Sequence, residues 1–327
     1  MLPSLVSILR CPHCSNTLNL DVTDEYGGEV LAGSLTCAVC AQRFIISNGI
    51  PRFVETQNYA DNFGVQWHRF RQTQLDSYSG APISKDRFLS FTRFTKDDLK
   101  GAVVLDCGCG AGRFAEIALD MGARVVAIDI SNAVDAARAN LGSRGAIDFI
   151  QADIFNLPFA PGAFSRAYCL GVLQHTPDPR TAFLSLADAV APGGKLAVDV
   201  YAKQWVNASL PKYWVRSLTR RLKVETTSRM VESWFGPLYS ISKVLGRLPK
   251  IGRKARWMIP VANYEGVLPL SRKQARDWAY LDTLDMWAPT HDYPQGMETM
   301  REWFEAAGFE DIEVERPGFV VARGVKG

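Results

Sequence analysis

Leu105-Asp106-Cys107-Gly108-Cys109-Gly110-Ala111-Gly112 places three glycines at alternate positions directly after the apolar run that begins at Ala102. An apolar run bounded by glycines reads as a buried strand. Glycines at this spacing let the backbone turn sharply and approach a ligand closely. Arg113 to Met121 continues with Ala, Ile and Leu at helical spacing and is closed by Gly122. A helix starting there aims its first backbone amides at whatever the loop holds. Two acids frame the loop. Asp106 stands immediately before it, where a carboxylate can receive an ammonium or backbone amides. Asp129 ends the next apolar run, Arg124–Ile128, 21 residues after Gly108. In nucleotide-binding sheets an acid there reaches ribose hydroxyls. Oxidoreductases carry a related glycine loop, so the loop alone does not choose a chemistry.

Outward from the loop, strand and helix patterns alternate. Asn132–Leu141 is a second helix, and Asp148–Gln151 a third strand that ends near Asp153. Ser165–Cys169 is a fourth strand, Thr181–Val190 a helix, and Lys195–Tyr201 a fifth strand. Met297–Ala307 is a helix ended by Gly308, and Phe309–Arg316 and Gly318–Lys326 form a strand pair around a Pro-Gly turn. Upstream, Tyr59–Leu75 and Ser84–Phe94 have helical character. This order predicts an α/β fold with a doubly wound, Rossmann-like sheet. Residues 56–201 and 297–327 make up this domain. Residues 202–296 are left as a mainly helical insertion after the fifth strand.

Residues 1–55 read as a separate module. Cys11-Pro12-His13-Cys14 and Cys37-Ala38-Val39-Cys40 are separated by 22 residues that include the hairpin-type pair Gly27-Gly28. Each Cys-x-x-Cys turn brings two thiolates to one tetrahedral ion, and the two turns close the shell around zinc. A segment this short has too little core to fold without such a staple. A closed four-thiolate shell has no open position, so the expected role of Cys11, Cys14, Cys37 and Cys40 is structural, with His13 a bystander. Cys107, Cys109 and Cys169 fall at strand ends and in the loop, and read as small buried residues.

Of 327 residues, 47% are hydrophobic and 22% charged, which excludes global disorder. No apolar run reaches the length needed to span a bilayer, and Met1–Arg10 lacks a basic start and a cleavage site. A cytoplasmic location is therefore expected. The net charge is +3, but its distribution is uneven. Residues 203–256 hold 13 Lys/Arg against two acids, Glu225 and Glu232, which leaves about −8 elsewhere. Such asymmetry points to an anionic partner or to a segment folded over an acidic body. The insertion also carries six of the eight tryptophans, at 205, 214, 234, 257, 278 and 287.

Val104 to Phe114 resembles the first motif of class I S-adenosylmethionine (SAM)-dependent methyltransferases. Ala127-Ile128-Asp129-Ile130-Ser131 matches that family's ribose-binding segment. Gln151-Ala152-Asp153-Ile154, followed by Leu157-Pro158-Phe159, is similar to its adenine-recognition segment, in which the Asp side chain contacts the exocyclic amine. Gly171 to Pro179 matches the loop after its fourth strand, and Pro192-Gly193-Gly194 the approach to its fifth. The resemblance spans residues 100–201 and implies a seven-stranded sheet with SAM as cofactor. It assigns Asp106, Gly108, Gly110, Gly112, Asp129, Ile130, Asp153 and Ile154 to SAM. Residues 61–76 resemble a smaller branch that carries a zinc ribbon and is associated with secondary metabolites and surface polysaccharides. In that branch the segment before the first motif covers SAM. The resemblance therefore offers Arg87 as a carboxylate partner, with Phe63 and Trp67 as shields of the sulfonium.

The expected function is in-line methyl transfer to a small-molecule acceptor, driven by proximity and desolvation. An oxygen or nitrogen acceptor also needs a general base. His175 after the fourth strand, Tyr201 at the end of the fifth, and His291 late in the insertion are the candidates. Two alternatives stay open. One is an RNA methyltransferase, drawn by the basic insertion. The other is a lyase or cyclase of the azetidine-carboxylate synthase type that consumes SAM itself inside an aromatic cage. The acceptor and the oligomeric state are not legible in the chain.

Overall fold

A computed structural model describes the chain except residues 55–69, 204–213, 217–218, 220–221, 223, 249–251, 253–255 and 289. Seven strands form the expected sheet: β5 (Val103–Cys107), β6 (Arg124–Asp129), β7 (Ile147–Gln151), β8 (Phe164–Cys169), β9 (Val190–Tyr201), β10 (Phe309–Glu315) and β11 (Phe319–Lys326). Their order is β7-β6-β5-β8-β9-β11-β10, parallel except that β11 runs antiparallel to both neighbours. β5 and β7 are buried almost throughout, as parallel strands covered on both faces must be.

Four N-terminal strands, β1 (Leu18–Tyr26), β2 (Glu29–Cys37), β3 (Arg43–Ser47) and β4 (Ile50–Arg52), lengthen this sheet to eleven. β1 and β2 turn at Gly27-Gly28, both with positive φ. β4 pairs in parallel with β7 through Arg52 and Gln151. The Arg52 guanidinium spans Asp135 (2.7 Å) and the Gln151 amide oxygen (2.7 Å). Leu5, Leu9, Leu35 and Phe44 belong to the same apolar cluster as Leu105, Val126 and Ile150. The cysteine module thus shares a core with the seven-stranded body.

Helices α1 (Ile83–Thr92), α2 (Arg113–Asp120), α3 (Ala133–Leu141), α4 (Pro179–Asp188) and α7 (Met297–Ala306) cover the sheet. α1 packs on α2 through Phe88, which meets Phe114 at 6.3 Å and Tyr168 edge-on at 5.1 Å. Full burial of such a ring is worth about 1.5–3 kcal/mol. Asp76 and Glu116 pin the approach to α1. The Asp76 carboxylate accepts the amides of Ser84 and Lys85, both at 2.8 Å, and buried Glu116 accepts the amide of Asp76 at 2.9 Å.

In the insertion, α5 (Val224–Gly246) lies along α6 (Arg272–Trp287) around Val231, Phe235, Tyr239, Leu284 and Trp287. Trp278 and Trp287 are buried, and Trp214 and Trp234 are exposed. No described helix is long and apolar enough to cross a membrane.

Candidate active site

The loop between β5 and α2 has the expected close approach. Gly108 and Gly112 adopt φ of +80° and +90°. A Cβ at Gly108 would lie 2.3 Å from Val172 Cγ2, and one at Gly112 would lie 2.6 Å from Leu141 Cδ1. The amides of Gly108 and Cys109 both donate to the Ile128 carbonyl at 2.8 Å, which ties the loop to β6. Asp129 holds the other side. One carboxylate oxygen accepts the Gly110 amide (2.9 Å), and the other accepts the amide and hydroxyl of Ser131 (2.9 and 2.7 Å). Burial pushes its pKa up against these hydrogen bonds.

The loop opens into a cavity of about 930 Å³, toward the upper end of the range for small-molecule sites. Gly108, Gly110, Asp129, Ile130, Ile154, Arg87, His175 and Tyr201 all line it, so the fold gathers eight of the expected residues around one space. Gly112 closes the loop as the N-cap of α2. Asp106 sits behind the loop, fully buried, with one carboxylate oxygen that has no hydrogen-bond partner among the described residues; burial beside Asp129 pushes its pKa up to about 7. Half-buried Asp153 accepts the Phe155 amide at 3.0 Å and flanks the cavity next to Ala152 and Ile154. Phe63 and Trp67 lie outside the described residues.

Arg87 is held firmly. Its Nη2 donates at 2.7 Å to Asp199, a fully buried carboxylate in β9, and its guanidinium lies over Phe91, Phe114 and Phe319 at 4.6–5.7 Å. The second oxygen of Asp199 accepts the Gly171 amide. A neighbouring guanidinium escaped the sequence reading. Arg113, the first residue of α2, lines the same cavity; its Nε donates to Ser84 Oγ at 2.9 Å, and it packs on Trp278 and Phe114. Among the described residues no carboxylate lies within 4.0 Å of it. Burial and the nearby charge of Arg87 lower its pKa to about 9.

The far wall comes from α6. Trp278, Asp282 and Asp285 are spaced four and three residues apart, which sets them on one helical face toward the cavity. Asp282 accepts a hydrogen bond from the Tyr264 hydroxyl and one from the Gln74 amide at 3.2 Å, and burial raises its pKa. That spacing was readable in the sequence. The direction of the face was not, because α6 is apolar on other sides as well.

His175 stands between the two walls. Its Nδ1 lies 3.0 Å from the His291 carbonyl, and its ring meets Tyr201 edge-on at 5.3 Å. A carbonyl only accepts, so Nδ1 carries the proton and Nε2 carries the lone pair. Burial lowers the His175 pKa to about 4, so the ring is neutral at pH 7. His291 meets the site through its backbone carbonyl, which also accepts from Arg216 at 2.8 Å. Its own ring stacks on Tyr293. Burial, with Asp285 and Asp292 nearby, raises the Tyr201 hydroxyl well above its ordinary value.

In the N-terminal module the Sγ atoms of Cys11, Cys14, Cys37 and Cys40 all lie within 4.8 Å of one another. Three of the separations are 3.4–3.6 Å, near the roughly 3.8 Å edge of a tetrahedron with 2.3 Å zinc–sulfur bonds. The amides of Val39 and Cys40 point at Cys37 Sγ (3.4 and 3.5 Å). The donor set fits a structural zinc. His13 instead stacks on Phe44.

Residues 105–198 match the family model described as a methyltransferase domain, and residues 3–49 match the Trm112p-like protein model. The chain thus resembles methyltransferase domains over residues 105–198, behind a segment that resembles Trm112p-like proteins. Among curated relatives, a ubiquinone biosynthesis O-methyltransferase of Xanthomonas euvesicatoria is 38% identical over 133 residues, covering 36% of this chain and 56% of the relative. An uncharacterised protein of Synechococcus is 28% identical over 218 residues, or 63% of this chain and 46% of that one. The chain thus spans about half the length of the curated relatives it matches. A solved magnesium protoporphyrin IX methyltransferase of Synechocystis, with bound S-adenosylhomocysteine, aligns over 82% of this chain and 97% of its own at 16% identity and a TM-score of 0.43.

Proposed function

We propose that the methyltransferase domain binds SAM between the glycine loop and Asp129 and transfers its methyl group to a small-molecule acceptor held against α6. The observation that supports this reading is the continuity of one cavity. It runs from the glycine loop, Asp129 and Ile154 at one end to Trp278, Asp282 and Tyr264 at the other, so donor and acceptor share one enclosed space. The acceptor belongs to the class of ring hydroxyls and other compact nucleophiles that such a space admits.

Bound SAM supplies an electrophilic sulfonium methyl, and the chain does the rest. Asp129 takes the ribose hydroxyls, while Asp153 and Ile154 take the adenine edge. Arg87 or Arg113 meets the methionine carboxylate. Neutral His175 accepts the acceptor's proton at Nε2, and Tyr201 and the His291 carbonyl position its ring. The aromatic walls Phe114, Trp278 and Phe319 exclude water. Residues 202–296 confer acceptor specificity, and the four-cysteine module, closed by zinc, braces the edge of the sheet. The four paired cysteines fit work in a reducing cytoplasm. A SAM lyase or cyclase needs no space beyond the sulfonium, and an RNA enzyme needs an open basic groove.

Purified protein incubated with SAM, with and without a small-molecule cell extract, tests this by mass spectrometry of the adenosine product. S-adenosylhomocysteine that appears only with extract is expected. Methylthioadenosine formed from SAM alone would replace methyl transfer with lyase or cyclase chemistry.

A further inference from the structure

Helix α5 has one apolar face too many. Val231, Phe235 and Tyr239 are buried toward α6, which accounts for the helix being part of the insertion's core. Trp234, Ile241, Val244 and, in the turn that follows, Leu248 are 48–61% exposed. Trp234, Ile241 and Leu248 are seven residues apart, and Val244 lies one turn from both Ile241 and Leu248, so the four form one stripe beside the buried face. Arg229 and Arg247, with Ser233 and Ser240, follow the stripe on its polar side.

The charge of the sequence on either side of this stripe indicates what covers it. In sequence, Arg220, Arg221 and Lys223 stand immediately before α5, and Lys250, Arg253 and Lys254 immediately after Leu248. The surplus of 11 positive charges between residues 203 and 256 sits in a chain that is net negative elsewhere. A second copy of the chain would bring two such segments face to face, which like charges oppose. Nucleic acid would satisfy the cations, but Ile241, Val244 and Leu248 cannot stack on bases. An anionic phospholipid surface satisfies both features: the aliphatic stripe enters the acyl boundary, tryptophan favours headgroup depth, and Arg229 and Arg247 beside the stripe meet lipid phosphates.

We infer that α5 is an interfacial helix that seats the protein on anionic membranes. The surface lies behind the acceptor side of the cavity, because α5 packs on α6 through Phe235 and Tyr280 at 5.0 Å and α6 carries Trp278 and Asp282 into the cavity wall.

The test is co-sedimentation of the full chain with vesicles of phosphatidylcholine, alone or mixed with phosphatidylglycerol. Binding is expected to the mixed vesicles, weakened by salt. The fourfold variant Trp234→Ser, Ile241→Ser, Val244→Ser and Leu248→Ser is expected to lose at least roughly tenfold in vesicle affinity while binding SAM as before. In the unaltered protein, brominated lipids are expected to quench a tryptophan component that Trp234→Phe removes, a readout independent of the fourfold variant's folding. A wild-type protein that stays in the supernatant with both vesicles overturns the inference. So does a wild-type dimer in sedimentation velocity that the fourfold variant makes monomeric, since the stripe would then belong to a second copy.

Discussion

Gly108→Ala puts the geometry of the glycine loop to a quantitative test. Two separate costs attach to the added methyl group. The backbone at φ +80° is a left-handed conformation that costs a non-glycine residue about 1–2 kcal/mol. The new Cβ would also sit 2.3 Å from Val172 Cγ2 and 2.9 Å from its Cγ1, closer than carbon atoms approach. Relieving that contact by moving Val172 costs about 1–3 kcal/mol more. Val172 cannot move alone, since its carbonyl accepts the His175 amide at 2.8 Å, so the disturbance reaches His175 as well as the glycine loop. The sum of about 2–5 kcal/mol corresponds to a fall in thermal midpoint of roughly 3–7 °C for a chain of this size, with a parallel loss of SAM affinity. Scanning calorimetry and titration of SAM measure the two effects. Repeating both in a Val172→Ala background separates the costs: there the contacts at 2.3 and 2.9 Å disappear, only the 3.1 Å approach to Cβ of residue 172 is left, and Gly108→Ala is expected to cost about 1–2 kcal/mol less. If Gly108→Ala costs the same in both backgrounds, the contact with Val172 is not what makes glycine necessary, and the argument fails.

Further tests follow from the same site. Asp129→Asn keeps the size and removes the charge; it is expected to weaken SAM binding about 10- to 100-fold by calorimetry, and an unchanged affinity would remove Asp129 from the ribose role. Arg113→Met deletes a buried guanidinium that no described carboxylate pairs, so the thermal midpoint is expected to hold or rise while SAM or acceptor affinity falls; a marked loss of stability would show that Arg113 is structural. For His175 the folded pKa of about 4 lies below the ordinary 6.5, so the unfolded chain binds the proton more readily. Its contribution to stability is complete above 6.5 and is lost as pH falls toward 4, by up to about 3 kcal/mol. Denaturant unfolding against pH should therefore steepen over that interval in wild type and flatten in His175→Gln, and identical curves would contradict the buried neutral ring. Chelation at neutral pH is expected to release one zinc per chain and to lower the thermal midpoint; a chain containing no zinc and indifferent to chelator would leave the four thiols as packing only.

The strand–loop–helix unit around Gly108, the acid at Asp129 and the two Cys-x-x-Cys turns were legible because each rests on local geometry. Alternate glycines, an acid at a strand end and paired thiols work within a few residues of backbone. The seven-stranded core followed for the same reason, since every strand and covering helix announces its own period. Docking of the cysteine module onto the sheet was not legible, because the pairing of Arg52 with Gln151 joins residues 99 apart and no periodicity encodes such a register. The α6 wall of the cavity was hidden likewise. Trp278, Asp282 and Asp285 are evenly spaced in sequence, but only the packing of α6 over α2 turns that face toward Arg113. His291 shows the limit most clearly. The sequence offers its imidazole as a candidate base, whereas the fold employs its carbonyl to fix the tautomer of His175, a role every residue possesses and only tertiary contact assigns.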